Sequence, residues 1–506
     1  MKAPEILPRD AHNAALLAHV HPADWVNPEP RGRYNLVVLG AGTAGLVTAA
    51  VAAGLGARVA LVERHLMGGD CLNVGCVPSK ALIRASRLVA EARRAAEIGL
   101  PAPRDEDVDF GAAMQRMRAI RARIAREDSA RRYRDELGVD VYLGEGRFED
   151  AGTVRVEGRR LRFRRAVIAT GARAAVPPIE GLAAAGYRTN ETIFELTERP
   201  RRLGVIGAGP IGCELAQAFR RLGCEVLLVD QSPRILPRED ADAAAIVLAA
   251  LRREGVRLEL GAALEKVERR GALRVLRLAR DGVGLELEVD EILVGVGRAP
   301  NVEDLGLEAA GVDFDPRRGV HVDDHLRTTN RRIYAAGDVC MDWKFTHAAD
   351  AAAKLVVQNA LFLPTKRLSS LVMPWCTYTD PEVAHVGLSE EEAAARGTPV
   401  DVWRTSLHEV NRAVTDGEEE GLVKIQVARG RDRILGATIV ASHAGEMIGE
   451  VSLAIAARLG LGALLNLIHP YPTQAEGIRR AAAAHARSRL TPRLARILAG
   501  WMRLRR

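Results

Sequence analysis

Two glycine-rich segments constrain this chain more than any other feature. The first reads YNLVVLGAGTAGLVTAAVAAGLGARVALVER from Tyr34. An apolar strand, Leu36 to Leu39, runs into Gly40, Gly42, Thr43 and Gly45. A helix of small residues follows, and a second strand, Val59 to Val62, ends at Glu63, 23 residues past the first glycine. The second segment, RRLGVIGAGPIGCELAQAFRRLGCEVLLVD, repeats the spacing with Gly207, Gly209 and Gly212, and Asp230 again stands 23 residues past the first glycine. A lone GxGxxG also fits an ordinary tight turn. Here strand, glycines, helix and acid occur together, twice. The glycines let backbone N–H groups reach a pyrophosphate at the helix N-terminus, and the acid accepts ribose hydroxyls. Two intact units imply two dinucleotides. Asp230 suits a free 2′-hydroxyl and repels a 2′-phosphate, so NADH is favoured over NADPH at the second unit, a preference tempered by Arg234 nearby.

Composition removes competing classes. A chain of 506 residues is too long for one hydrophobic core. Its excess of 72 Lys+Arg over 65 Asp+Glu is spread along the whole length, with no aromatic-interleaved basic stripe, so no nucleic-acid partner is expected. No apolar run reaches the length of a membrane-spanning helix, and the N-terminus lacks a signal peptide's apolar core. Six cysteines in a chain this size are no disulfide framework. A cytoplasmic enzyme is the expectation.

Between the fingerprints lies an Arg/Ala-rich helical stretch, residues 81–134, whose charges read as a solvated face. Short strands follow from Val139 to Ile168, then ATGARAAVPPIEG. Alternating strands run from 255 to 296, and GRAPN leads to TTNRRIYAAGDV. With Gly40–Gly45, the Cys71/Cys76 segment, Ala169-Thr170-Gly171, Gly207–Glu214, Gly297–Asn301, Tyr334–Asp338 and Pro472–Glu476, the chain resembles the class I pyridine nucleotide–disulfide oxidoreductases. That group includes dihydrolipoamide dehydrogenase, glutathione reductase and mercuric reductase. The resemblance implies an α/β fold with two Rossmann-like domains, one for FAD and one for NAD(P), plus a C-terminal α+β dimerisation domain. The expected segments are an N-terminal extension (1–33), the first part of the FAD domain (34–175), the NAD(P) domain (176–299), the second part of the FAD domain (300–366), the dimerisation domain (367–488) and a basic amphipathic tail (489–506). A homodimer with active sites shared between chains is implied.

GGDCLNVGCVPSK, Gly68 to Lys80, holds two cysteines five positions apart. A zinc site would need four ligands, and no second pair exists, so no metal site is expected. A staple over so short a loop constrains the unfolded chain only slightly. The third reading is a redox disulfide, and the resemblance supports it. On the family pattern Cys76 faces the flavin, Cys71 exchanges with substrate, and Lys80, paired with Glu214, sits near flavin N5. A nearby cation lowers a thiolate's pKa. By the same resemblance Asp338 binds the ribityl chain, Glu63 the adenosine ribose, and Gly69, Asp70, Lys80, Phe148, Thr170, Gly171, Gly297 and Thr346 line the cofactors.

The departure lies in NLIHPYPTQAEGIRRAA. Family members that reduce disulfides carry a histidine before Pro-Thr, oriented by a glutamate five residues later. Here the position is Tyr471, with Glu476 retained and His469 two residues upstream. A phenol's ordinary pKa near 10 makes a poor proton shuttle. Mercuric reductases also have tyrosine there, but the cysteine pair at their C-terminus is missing. Three acceptor classes stay open: a metal ion or similar electrophile, a protein-bound dithiol, and a quinone-type small molecule. The tail LTPRLARILAGWMRLRR sets apolar residues at helical spacing among arginines. It fits a helix packed on its own dimer or a peripheral membrane contact through 490–506.

Overall fold

A strand buried on both faces reads as an unbroken apolar run, and the segments around the first fingerprint follow that rule. The computed structural model describes residues 4–280 and 282–506. They fall into two units, the first made of residues up to Pro233 with Val256–Leu371, the second of Arg234–Gly255 with Val372–Arg506.

In the first unit the strand Arg33–Leu39 lies at the centre of a seven-stranded sheet. Leu36 to Leu39 pair in parallel with Val59 to Val62 on one side and with Arg165 to Ile168 on the other. Asp140–Leu143 extends one edge, and Ile333–Ala335 joins the end of Arg159–Ile168. All five residues of Val59–Glu63 are buried, the valines and Leu61 each contributing roughly 1.5–3 kcal/mol. The helix Thr43–Gly54 packs against Thr346–Leu361, and both bury alanine: Ala44, Ala49 and Ala52 against Ala348, Ala352 and Ala353 among others. Small side chains let two helices approach closely.

The second fingerprint builds a separate parallel sheet in the order Arg257–Leu260, Glu225–Asp230, Arg202–Ile206, Glu291–Val294. An antiparallel sheet of Ala263–Arg270, Leu273–Arg280 and Val283–Val289 stands beside it.

The Arg/Ala-rich stretch corrects one expectation. It forms the helices Cys76–Arg94 and Phe110–Ile124, and their charges are not all solvated. Arg118 and Arg121 are buried. Arg118 Nε donates to Asp10 Oδ2 at 2.6 Å, and Arg121 donates to Asn13 Oδ1 and to the Asn73 carbonyl, both at 2.6 Å. Their partners come from the N-terminal helix Ala11–Val20 with its cap Asp10, and from the cysteine segment. Breaking a buried pair of this kind costs about 3–5 kcal/mol, so the N-terminal helix is part of the folded unit.

In the second unit five antiparallel strands run in the order Pro374–Thr377, Glu382–Gly387, Ile434–Ala441, Leu422–Ala428, Val400–Ser406. Ala444–Ala456 and Glu476–Ser488 pack on this sheet. The helix Ala241–Arg253, which lies within residues 176–299 of the sequence, groups here too. The buried Lys424 explains why: its Nζ donates to both oxygens of the helix cap Asp240 at 2.8 and 2.7 Å, to Asp242 at 2.7 Å and to Glu390 at 2.9 Å. A lysine removed from water needs such partners.

Candidate active site

The two fingerprints fold alike to the level of single hydrogen bonds. Each acid reaches back to the backbone of its own glycine turn. Glu63 Oε2 accepts from the N–H of Ala41 at 2.7 Å, and Asp230 Oδ2 from the N–H of Ala208 at 2.6 Å. The second oxygens accept from His65 and Ser232, at 2.8 and 2.7 Å. Burial pushes the Glu63 carboxyl up. Gly45 and Gly212 are fixed by close approach, since a Cβ on either would collide with the carbonyl of Gly40 or Gly207. Gly42 and Gly209 cap the helices Thr43–Gly54 and Pro210–Arg221, and neither helix start has a side-chain cap. A Cβ at Gly209 would meet nothing within 4 Å. Glycine cradles at uncapped helix starts, each with an acid alongside, fit two dinucleotides.

The cysteine segment is pressed onto the first cradle. A Cβ on Gly69 would stand 2.6 Å from the Gly42 Cα, so only glycine lets the segment lie there. Asn73 Nδ2 ties the short helix Gly69–Asn73 together by donating to the carbonyls of Met67 and Gly69 at 3.0 and 2.8 Å. Cys71 sits on this helix; Cys76 is the first residue of the next, Cys76–Arg94. Cys76 Sγ lies 3.3 Å from Thr346 Oγ1. One turn on, Lys80 Nζ donates to the buried Glu214 Oε2 at 2.7 Å, joining this helix to that of the second fingerprint.

The two thiols are driven apart in acidity. A hydrogen bond from Cys71, joined by Thr346 and the Lys80 charge, holds Cys76 down to about 6. The same contact with Cys76, together with burial, pushes Cys71 up. The contact favours the thiolate at Cys76, which opens a helix whose N-terminus suits a negative charge.

Around the thiols stands an ionic chain of which the sequence indicated only the acids. Arg298 bridges Asp70 Oδ2 at 3.0 Å and Asp338 Oδ2 at 3.2 Å, while Asn190 Nδ2 donates to Asp70 Oδ1 at 3.1 Å. Burial raises the Asp338 carboxyl against the pull of Arg298. Arg298 follows Gly297 in GRAPN, so its motif position was the available signal. Thr170 and Asn301 clip two motifs together: Thr170 Oγ1 donates to the Asn301 carbonyl at 2.7 Å, Asn301 Nδ2 to the Thr170 carbonyl at 2.9 Å, and the Asn301 N–H to the Gly171 carbonyl at 3.0 Å. The Gly297 carbonyl accepts from the Ala175 N–H at 2.9 Å. Phe148 lies in the core, edge-on to Phe163. Sequence reasoning also passed over Asp128. Its carboxyl lies against Gly68, near the start of the cysteine segment, and burial pushes it up to about 6.

Tyr471, His469 and Glu476 belong to the second unit. Tyr471 is 72% exposed, and its hydroxyl accepts from Asn411 Nδ2 at 2.8 Å. His469 Nε2 pairs with Glu450 Oε2 at 3.0 Å, and its Nδ1 is buried without a hydrogen-bond partner among the described residues. Glu476 is held by Arg479 and Arg480, both at 3.3 Å.

Two nucleotide cradles with a cysteine pair pressed against the first fit the layout of a flavin-dependent disulfide oxidoreductase. Residues 34–353 match the family model for pyridine nucleotide-disulphide oxidoreductases, and 373–482 match the dimerisation domain of that family. The chain belongs to this family. It is 36% identical over 449 residues to the mercuric reductase of Lysinibacillus sphaericus, covering 89% of this chain and 82% of the relative. It is 35% identical over 462 residues to the dihydrolipoyl dehydrogenase of Thermus scotoductus, covering 89% and 97%. Among solved structures it is similar to the Cu(II) complex of the HOCl-induced flavoprotein disulfide reductase RclA from Escherichia coli. The TM-score there is 0.80 at 28% identity, over 90% of this chain and 100% of that one. The chain is thus an FAD-dependent NAD(P)H oxidoreductase, mercuric reductase-like or lipoamide dehydrogenase-like, and its dimerisation domain supports a homodimer. No helix among the described residues is long and apolar enough to cross a membrane.

Proposed function

We propose that the chain takes two electrons from NADH into the Cys71–Cys76 disulfide and passes them to an acceptor that binds thiolate without a histidine proton relay, a mercuric ion or a comparable soft electrophile. The observation that carries this reading is a cluster that favours a thiolate, Cys76 3.3 Å from Thr346 with Lys80 one turn on and paired to Glu214, together with Tyr471 at the position of the usual histidine. FAD, when bound, supplies the two-electron link between nicotinamide and disulfide. Opening the S–S bond with two electrons and one proton leaves a Cys76 thiolate and a Cys71 thiol. Thr346 and Lys80 stabilise the thiolate, so a second proton is not needed.

Glu63 and the Gly40–Gly45 turn would hold the FAD adenosine and pyrophosphate; Asp230 and the Gly207–Gly212 turn would hold NADH. Each active site is shared across the homodimer, with Tyr471 and Glu476 contributed from the opposite chain. Tyr471 then offers a phenol oxygen as a ligand for a metal ion. The setting is a reducing cytoplasm. A second reading, reduction or oxidation of a protein-bound dithiol, draws on the dihydrolipoyl dehydrogenase relative and on the His469–Glu450 pair as a substitute base.

Steady-state turnover with mercuric ion, lipoamide, glutathione disulfide and a quinone, each with NADH and with NADPH, tests the proposal. Mercuric ion with NADH is expected to be the fastest pair. Asp230→Ala raises KM for NADH by about tenfold or more, the effect of losing a hydrogen bond to a charged group, and leaves KM for NADPH unchanged or lower. Fast lipoamide turnover that disappears in His469→Ala supports the second reading and overturns the first.

A further inference from the structure

The last helix, Pro492–Leu504, is specified by its own sequence rather than by packing. Thr491 caps it, its side chain accepting from the Leu494 N–H at 3.3 Å, and Pro492 occupies the first turn. None of its residues is buried. It lies beyond residue 482, where the match to the dimerisation domain ends.

Its two faces differ sharply. Leu494, Ile497, Leu498 and Trp501 recur at the three- and four-residue spacing that puts them on one stripe, and all are exposed, Ile497 by 67% and Trp501 by 53%. Arg496 and Arg503 fall on the opposite arc, and Arg493 flanks the stripe. Arg505 leans its guanidinium over the Trp501 ring, 5.1 Å from the centroid. No acidic residue follows Glu476 in the chain.

From this we infer that residues 490–506 form a membrane-surface helix that lays its leucine, isoleucine and tryptophan face into the headgroup layer of an anionic bilayer. Charge complementarity selects the occupant. Anionic headgroups match a segment that carries only positive charge beside an apolar stripe, whereas a second copy of the same helix offers its arginines no acidic residue. Thirteen residues span about 20 Å at 1.5 Å each, so the helix lies in the interface and does not cross it. Each arginine near such a surface adds roughly a factor of five to binding. The inference is independent of which acceptor the active site serves.

Co-sedimentation of the full-length FAD-loaded protein with vesicles tests it. One vesicle set is pure phosphatidylcholine; the other is half phosphatidylglycerol. The protein is expected to pellet with the anionic set and to stay in solution with the neutral one. Binding weakens as salt is raised. The double variant Ile497→Glu/Trp501→Glu, changed only at exposed positions, loses about tenfold or more in binding while keeping its flavin absorbance and its dimeric sedimentation coefficient. Failure of the wild type to pellet, equal pelleting with both vesicle sets, or undiminished pelleting of the double variant overturns the inference. So does dissociation of the double variant into monomers, which would assign the apolar face to the partner copy.

Discussion

Cys71→Ser abolishes turnover of disulfide and thiol-bound metal acceptors, while direct flavin reduction by NADH survives. The effect depends on which of the two sulfurs exchanges with the acceptor. In the proposed mechanism Cys76 holds the thiolate, stabilised first by the hydrogen bond from Cys71, then by Thr346 and Lys80. Cys71, pushed up by the same contact and by burial, is then the thiol that exchanges with an acceptor. A serine hydroxyl does not attack sulfur or ligate a soft metal ion at neutral pH, so acceptor reduction falls to background. The hydroxyl still donates a hydrogen bond, so the Cys76 thiolate persists in this variant. Cys71→Ala removes that donor as well, and Cys76 then moves up from about 6 toward the ordinary thiol value. Steady-state assays with the acceptor panel check the first effect. Retained lipoamide or mercuric ion turnover in Cys71→Ser would place the exchanging sulfur elsewhere.

Tyr471→His raises disulfide reduction by up to about 10²–10⁴-fold, the range that a positioned acid or base contributes. A phenol titrates too high to relay protons at neutral pH, whereas imidazole is suited to it. With tyrosine in place, disulfide turnover follows the ionisation of the exchanging thiol, so the rate climbs with pH through the range where Cys71, pushed up by Cys76 and burial, loses its proton. With histidine in place the profile shifts to an imidazole titration. Tyr471→Phe leaves disulfide turnover low and reduces metal-ion turnover, because the ligand oxygen is gone. A pH series of kcat/KM for lipoamide in the three forms checks this. An unchanged rate and profile in Tyr471→His would show that position 471 does not serve the dithiol.

The features that sequence carried well are those set by local chemistry. Gly45 and Gly212 are dictated by a carbonyl five residues earlier, and Glu63 and Asp230 by the turn each reaches back to, so spacing alone located them. Gly69 was expected from the resemblance to line a cofactor, but its contact with Gly42 is tertiary. What remained hidden depends on pairings between distant segments. Arg118 and Arg121 look like any surface arginines until Asp10 and Asn13, 108 residues away in each case, fold onto them. Arg298 is one residue past a recognised glycine, yet only the fold sets it between Asp70 and Asp338. Lys424 carries no motif signal; its burial comes from its pairing with Asp240 at the cap of a helix nearly two hundred residues earlier. Periodicity reports which face of an element is apolar, not which charge will find a partner there.

If Cys76 is the thiolate of the working pair, anaerobic reduction with NADH followed by visible absorbance will show it. A thiolate lying against oxidised flavin gives a long-wavelength absorption band. In wild type that band is expected to appear on reduction and to grow with pH through about 6, where Cys76 ionises. Cys76→Ser is expected to show no band at any pH, with FAD content unchanged. A band of full strength in Cys76→Ser, or one in wild type that appears only in the ordinary thiol range, contradicts the account.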